Sequence, residues 1–383
     1  MIPLTDLGRQ HARLTAELEP AVIKLLGTGN FILGAVVQAF EAEVASYLGA
    51  KGAVGVSSAS DGLVMSLLDA GIGPGDEVIT TPLTFVATAE AIVRVGATPV
   101  FADIDPGDLS LSAEGVLSAL SARTRAVITV HLFGHLGHVS ELSRLCKERG
   151  LVLIEDAAQA FGARSGQRFA GTFGDYGVFS FFPAKVLGGA GDGGLVVASP
   201  ERVERLKRLR VHGHRGDGTF EGVGGNFRLD ALQAAILSVK LRHVEEFLAS
   251  RARLAERYTV ELSRGELNLN LSRPSSAPLS DGELGLPSAR VGTRSAWNYF
   301  AVRVKDPDEI SRRLAAEGVA SARYYRLPLH QQPCFEGRMR VARVAEAERA
   351  SSELLALPLF PELTAEEQDH VILALRRALG ITL

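Results

Sequence analysis

Cysteine is almost absent from this sequence, and tryptophan and methionine are scarce: 383 residues hold two cysteines, one tryptophan and three methionines. Cys146 and Cys334 stand far apart with no CxxC spacing. That excludes a disulfide framework and a cysteine-built zinc site, and points to a reducing compartment. An excess of one charge is missing too. A net charge of −3 leaves no electrostatic footprint for nucleic acid or an anionic membrane as partner. No apolar run approaches the ~20 residues that span a bilayer. The start, MIPLTDLGRQHARL, lacks the basic-then-apolar order of a signal peptide, so a cytoplasmic location is expected. What remains is an ordinary globular composition, 46% hydrophobic and 22% charged, in a chain long enough for one large domain and a smaller one. Arginine greatly outnumbers lysine, so a lysine in a loop stands out.

The first half alternates short apolar runs with amphipathic stretches. Seven candidate strands cover Gly52–Val56, Glu77–Thr81, Pro99–Ile104, Ala126–Val130, Val152–Glu155, Gly177–Phe181 and Gly194–Ala198. Helix-like segments at Asp61–Ala70, Val86–Val95, Ala113–Ser121 and Val139–Glu148 lie between most of them. This alternation predicts an α/β fold, a mostly parallel seven-stranded sheet with helices on both faces. The run Thr172–Gly194 breaks the rhythm, which one antiparallel strand would explain. No glycine or proline occurs between Gly225 and Gly265, and apolar residues recur there at helical spacing; one long helix over 229–262 is expected to connect the domains. The large domain is then residues 1–245 and a small C-terminal α+β domain is 246–383. Within the latter, Asn270–Leu286 reads as a surface excursion, Trp297–Val304 as a strand, and Asp308–Glu317 and Ala365–Leu379 as helices.

Five segments carry chemistry. LVLIEDAAQAFGA sets Asp156 at the carboxyl end of a strand, the edge where open α/β sheets bind ligands. A carboxylate there can keep a pyridine nitrogen protonated, or simply cap a helix. GDYGVFSFFPAKVLGGAGDGG places Lys185 in a glycine-rich loop five residues after Ser180; desolvation can make such an amine nucleophilic. Gly189, Gly191 and Gly194 also match G-x-G-x-x-G, a weak signal without a βαβ unit around it. VGVSSASDGLVMSLL runs a strand through Ser57, Ser58, Ala59 and Ser60 into a helix, a seat for phosphate or an ordinary serine cap. PLTFVAT brings Phe85 to the same edge, where it could cover a planar ring or join the core. Asn226-Phe227-Arg228, before the long helix, suits capping or anion contact. His131, His135 and His138 are interrupted by Gly134 and Gly137, with no adjacent carboxylate to complete a ligand set, so no metal site is expected.

In order and spacing these segments resemble the DegT/DnrJ/StrS family of sugar aminotransferases, over nearly the whole chain from FILGAVVQAFEAEVASYLG to LPLHQQPCF. The resemblance implies the fold-type I architecture of pyridoxal-phosphate enzymes, with Lys185 as the Schiff-base lysine and Asp156 paired to the pyridine nitrogen. Gln159 would sit near the ring hydroxyl and Phe85 would stack on the ring. Ser58, the Ala59 backbone, Ser60 and Ser180 would hold the phosphate of pyridoxal 5′-phosphate. Asn226 would reach the phosphate in a neighbouring subunit, which implies a homodimer with shared active sites. His330, and with less support Arg228, would contact the sugar nucleotide.

The implied reaction moves an amino group from L-glutamate to a keto-sugar on a nucleotide. The loop around Lys185 and the stretch NFRLDALQAAIL favour the 3-position of a UDP- or TDP-sugar. A 4-keto substrate, or a cofactor-binding regulatory protein without turnover, stays as an alternative. Three positions depart from the family pattern. Ala59-Ser60 replaces a Gly-Thr turn, and Gly62 replaces an alanine, which would loosen the first turn of its helix. His135 stands in place of glutamine.

Overall fold

The computed structural model describes residues 1–264 and 279–381. Helices α1 (Leu7–Leu26) and α2 (Gly34–Leu48) open the chain. There follow β1 (Ala53–Val56), α3 (Ala59–Asp69), β2 (Glu77–Thr80), α4 (Ala87–Arg94), β3 (Thr98–Phe101) and α5 (Ala113–Ala119). After β4 (Thr124–Val130), α6 (Val139–Arg149) and β5 (Val152–Asp156) come two-residue strands β6 (Arg164–Ser165) and β7 (Arg168–Phe169). Next are β8 (Tyr176–Ser180), β9 (Gly194–Ala198) and α7 (Pro200–Leu209). All seven expected strands therefore form. The four helices expected between them form as well.

These strands lie in one sheet of order β1-β9-β8-β5-β4-β2-β3, to which β12 (Arg340–Val341) adds an eighth, parallel member beside β3. β9 runs antiparallel to both β1 and β8, the single reversal that the broken rhythm at Thr172–Gly194 suggested. Side chains alternate across the sheet as the pleat requires. Val54, Ile128, Ile154 and Val178 pack under α3, α4 and α7, while Ala53, Phe179 and Leu195 face α2 and the helix that follows the sheet. Both faces are covered, so the strands read as continuous apolar runs. The two-residue β12 has no such run, and its pairing depends on Arg340, which donates to Glu77 and to the Ala119 carbonyl.

The stretch expected as one long helix is two, α8 (Ala231–Leu241) and α9 (Val244–Leu262). The corner has neither glycine nor proline; instead Glu17 of α1 accepts from Arg242 at 2.9 Å and lies 2.7 Å from His243 Nε2, pinning the bend. A second core gathers the later half of α9 with β11 (Phe300–Arg303), α10 (Pro307–Ala316), β13 (Leu354–Leu357) and α12 (Ala365–Ala378). Between α10 and β13 the chain reaches back to form β12, and α11 (Ala345–Glu353) follows it. The strand β10 (Thr293–Arg294) joins β6 and β7 in a small ribbon. Most of the expected excursion at Asn270–Leu286 lies outside the described residues.

Candidate active site

One row of residues crosses the sheet's edge: Val56 of β1 pairs with Gly194 of β9, and Gly194 with Ser180 of β8. Because β9 is reversed, its first residue meets the last residues of both neighbours. A Cβ on Gly194 would lie 2.6 Å from the Ser58 carbonyl carbon and 2.7 Å from the Ala59 nitrogen. Only glycine lets the Ser58–Ala59 turn lie down on the sheet here. Ser58 Oγ caps α3 by accepting from Asp61 N at 3.1 Å, leaving first-turn N–H groups of Ala59 and Ser60 directed at the edge. At Gly62, where loosening of the turn was expected, the Cα faces Val178 and Val196, and an added Cβ would stand 2.9 Å from Val178 Cγ1. The helix start is seated closely on the strands.

Asp156 ends β5 one row deeper, paired with Val178 on β8, two residues before Ser180. Its buried carboxylate accepts from Thr88 Oγ1 at 2.8 Å and from Ala158 N at 3.2 Å, closing a turn rather than capping a helix. Burial pushes its pKa upward, and these donors and the Lys185 charge oppose the rise only in part. Lys185 follows β8 in a turn closed by its own N–H on the Phe182 carbonyl at 2.9 Å. Desolvation lowers its amine from 10.5 to about 8, against the pull of Asp156. At pH 8 about half of such an amine is a free base, against roughly 0.3% for an ordinary lysine.

Gln159 sits just beyond Asp156, accepting from Phe133 N at 2.7 Å and donating to the Tyr325 hydroxyl at 3.1 Å. Phe85 is 55% exposed, with its ring centroid 6.2 Å from that of Tyr325. It is therefore a lid-like face over the edge and no part of the core. Tyr325 and Thr88 were not among the expected site residues. Thr88 lies within PLTFVAT itself, and Tyr325 just precedes LPLHQQPCF; proximity to those motifs was the available signal.

Other expected residues lie apart from this cluster or point elsewhere. Asn226 is exposed and Arg228 half-buried on a segment running antiparallel to the end of β1, with Val56 bridged to Arg228. Neither side chain makes a hydrogen bond or ion pair among the described residues. His330 Nε2 is 2.9 Å from Glu348 Oε1, which engages it on the side of α11. Gly189 and Gly191 lie in the connection between antiparallel strands, so the G-x-G-x-x-G match has no βαβ unit behind it. His131 Nε2 meets Glu155 Oε2 at 2.8 Å. His135 is fully buried against Trp297, its pKa lowered to about 4 by desolvation. Contrary to the expectation of no nearby carboxylate, His138 has Asp105, Asp108 and Glu141 around it. Both of its ring nitrogens are engaged by them, and Arg290 pairs with Asp108 at 3.2 Å, which makes the group an ion-pair network.

The chain that carries this edge, with its desolvated amine, buried carboxyl and open helix N-terminus, is similar over its length to known proteins. UDP-N-acetyl-3-dehydro-alpha-D-glucosamine 3-aminotransferase of Acidithiobacillus ferrooxidans is 39% identical over 379 residues, 99% of this chain and 98% of that one. A pleiotropic regulatory protein of Geobacillus stearothermophilus is 38% identical over 373 residues, 97% and 96% of the two chains. The crystal structure of S. venezuelae DesV in complex with a ketimine intermediate superposes with a TM-score of 0.92 at 36% identity, covering 100% of this chain and 99% of that chain. The DegT/DnrJ/EryC1/StrS aminotransferase family model matches residues 12–376, and the chain belongs to that family.

Proposed function

We propose that this protein aminates a keto-sugar carried on a nucleotide, at the sugar's 3-position, with L-glutamate as amino donor and UDP or TDP as carrier. The product would feed a surface polysaccharide or a natural-product sugar. The observation that carries the reading is the desolvated Lys185 amine, in the turn after β8, within Coulombic reach of the buried Asp156 carboxyl that ends β5. The name of the A. ferrooxidans relative places that enzyme's chemistry at the 3-position.

Aminotransferases of this family depend on pyridoxal 5′-phosphate, and the residues fit it. The N–H groups of Ala59 and Ser60, with the Ser58, Ser60 and Ser180 hydroxyls, suit a phosphate. Asp156, with two neutral donors and no ion pair among the described residues, lacks the compensation that a protonated ring nitrogen gives. When bound, the cofactor supplies an electrophilic carbon and an electron sink. Lys185 Nζ would hold that carbon, and when free it would take the proton from the donor's α-carbon and return it further along, a positioned transfer contributing ~10²–10⁴-fold. Asp156 would keep the ring nitrogen protonated, Gln159 and Tyr325 would orient the ring from its hydroxyl side, and Phe85 would exclude water from one face. Arg228 and, once it leaves Glu348, His330 would contact the sugar nucleotide.

The same reading makes the protein a homodimer with shared sites. Exposed apolar side chains support it: Phe31 and Ile32 beside the start of α8, Phe182 near Lys185, and Phe220 and Val223 on the segment before Asn226. In the dimer Asn226 would reach the partner's phosphate.

The test is a panel of 3-keto and 4-keto nucleotide sugars, with glutamate and product masses read by mass spectrometry. Amination of the 3-keto compounds, lost in Lys185→Ala with cofactor still bound, is expected. Turnover by Lys185→Ala, or a preference for 4-keto sugars, overturns the corresponding part. Bound cofactor with no response to any donor would make the protein a binding module.

A further inference from the structure

We propose that Lys240 is a positioning residue for Lys185: from α8 it holds the Gly188 carbonyl and so sets the loop that presents the Lys185 amine. Lys240 Nζ donates to Gly188 O at 2.7 Å, three residues beyond Lys185. On the same helix Gln233 Oε1 accepts from Ala190 N at 2.8 Å. The rest of the loop is confined by its own backbone. Gly189 N donates to Phe181 O at 2.8 Å, and an added Cβ on Gly188 would run into the Pro183 carbonyl. Residues seven apart on α8, and so on one face of it, therefore grip the loop at Gly188 and Ala190, three and five residues beyond Lys185.

A stability role explains this lysine poorly. Lys240 is 7% exposed, and burial lowers its amine to about 8 although the Glu362 charge pulls the other way. Burying an ammonium for a single carbonyl is costly, and an apolar side chain of similar length is commonly tolerated at such a place. What the apolar replacement loses is the grip on Gly188. A catalytic amine displaced by about 1 Å loses rate steeply, because proton transfer needs a fixed approach to the α-carbon. This inference rests on the reading of Lys185 as the cofactor-holding amine.

The experiment uses the cofactor-bound protein and its variants Lys240→Met and Lys240→Arg. Hydrogen exchange is read over residues 185–191, and single-turnover decay of the cofactor absorbance is followed across glutamate concentrations. Losing one charge-assisted hydrogen bond should speed exchange in K240M by about tenfold or more and slow the turnover similarly, with half-saturation by glutamate changed less than about threefold. Lys240→Arg, which keeps a charged donor, should restore most of both. K240M with wild-type exchange in the loop, or with a loosened loop and an unchanged turnover rate, overturns the proposal. Should K240M not fold, Lys240→Gln, too short to reach Gly188, is read in the same way. If glutamate leaves the wild-type absorbance unchanged, the functional reading fails, while the exchange measurement still decides whether Lys240 tethers the loop.

Discussion

Glu155 and Asp156 are neighbours on β5, both buried, and their surroundings could hardly differ more. Glu155 is fully satisfied. Its Oε1 accepts from Phe173 N at 2.5 Å and Gly174 N at 2.6 Å, while Oε2 takes Gly171 N at 2.8 Å and faces His131 Nε2 at 2.8 Å. Asp156, on the opposite face of the strand, has one hydroxyl and one backbone N–H. The first carboxylate closes a piece of architecture: it ties the end of β4 to the turn that leads into β8. The second leaves charge unbalanced at the sheet edge, and that imbalance is what a cationic ligand can use. Adjacent acids thus divide support and chemistry between them, and burial alone identifies neither.

Substitution separates the two roles. Glu155→Ala strands three backbone N–H donors, two of them buried, and His131 without an acceptor, so a loss of ~3–5 kcal/mol is expected from denaturant unfolding of the cofactor-free protein. Asp156→Asn should leave that stability nearly unchanged or raise it, since it removes a desolvated charge, yet it should abolish transamination. Equal stability losses in the two variants would erase the distinction.

Much of this was legible in the sequence, and the reasons are physical. Apolar runs of interior parallel strands and the helical periodicity between them gave seven strands and four helices within a few residues. The site motifs sit at strand ends because the chain must turn there, which made Asp156, Lys185 and Ser58–Ser60 visible. Features set by long-range pairing were not visible. β12 is two residues long and joins the sheet through Arg340. The α8–α9 corner has no breaking residue and is made by Glu17. Tyr325 reaches Gln159 from 166 residues away. The segment holding Asn226 is placed by its bridge to Val211, fifteen residues earlier in the chain.

The comparison of support with chemistry extends to Lys185, and here pH is the probe. Its folded pKa, about 8 against the ordinary 10.5, lies below the unfolded value. The fold therefore disfavours the ammonium form; the cost is full below pH 8 and fades as pH rises from 8 towards 10.5. In the cofactor-free protein, Lys185→Met should be the more stable form at pH 7, by at most ~3 kcal/mol at 1.36 kcal/mol per pKa unit. That advantage should shrink steadily up to pH 10. An advantage independent of pH would mean that the amine is not desolvated in the resting site.

The smallest effect is expected at Gly62, where two terms of opposite sign meet. Alanine in the first turn of α3 gains up to ~1 kcal/mol of helix propensity over glycine. Its Cβ would stand 2.9 Å from Val178 Cγ1 and 3.1 Å from Val196 Cγ2, however, and both are methyl groups of a filled interior. Overpacking of that kind costs ~1–3 kcal/mol, so Gly62→Ala should lose no more than ~2 kcal/mol overall. The more telling consequence is directional. The helix can relieve the contact only by lifting from β8 and β9, which carries the Ser58–Ser60 turn away from Ser180. Cofactor affinity should therefore fall more than stability does, and Gly62→Ala with Val178→Ala should recover affinity by reopening the space. If the double variant binds the cofactor no better than Gly62→Ala alone, the seat of α3 on the sheet does not set the phosphate turn.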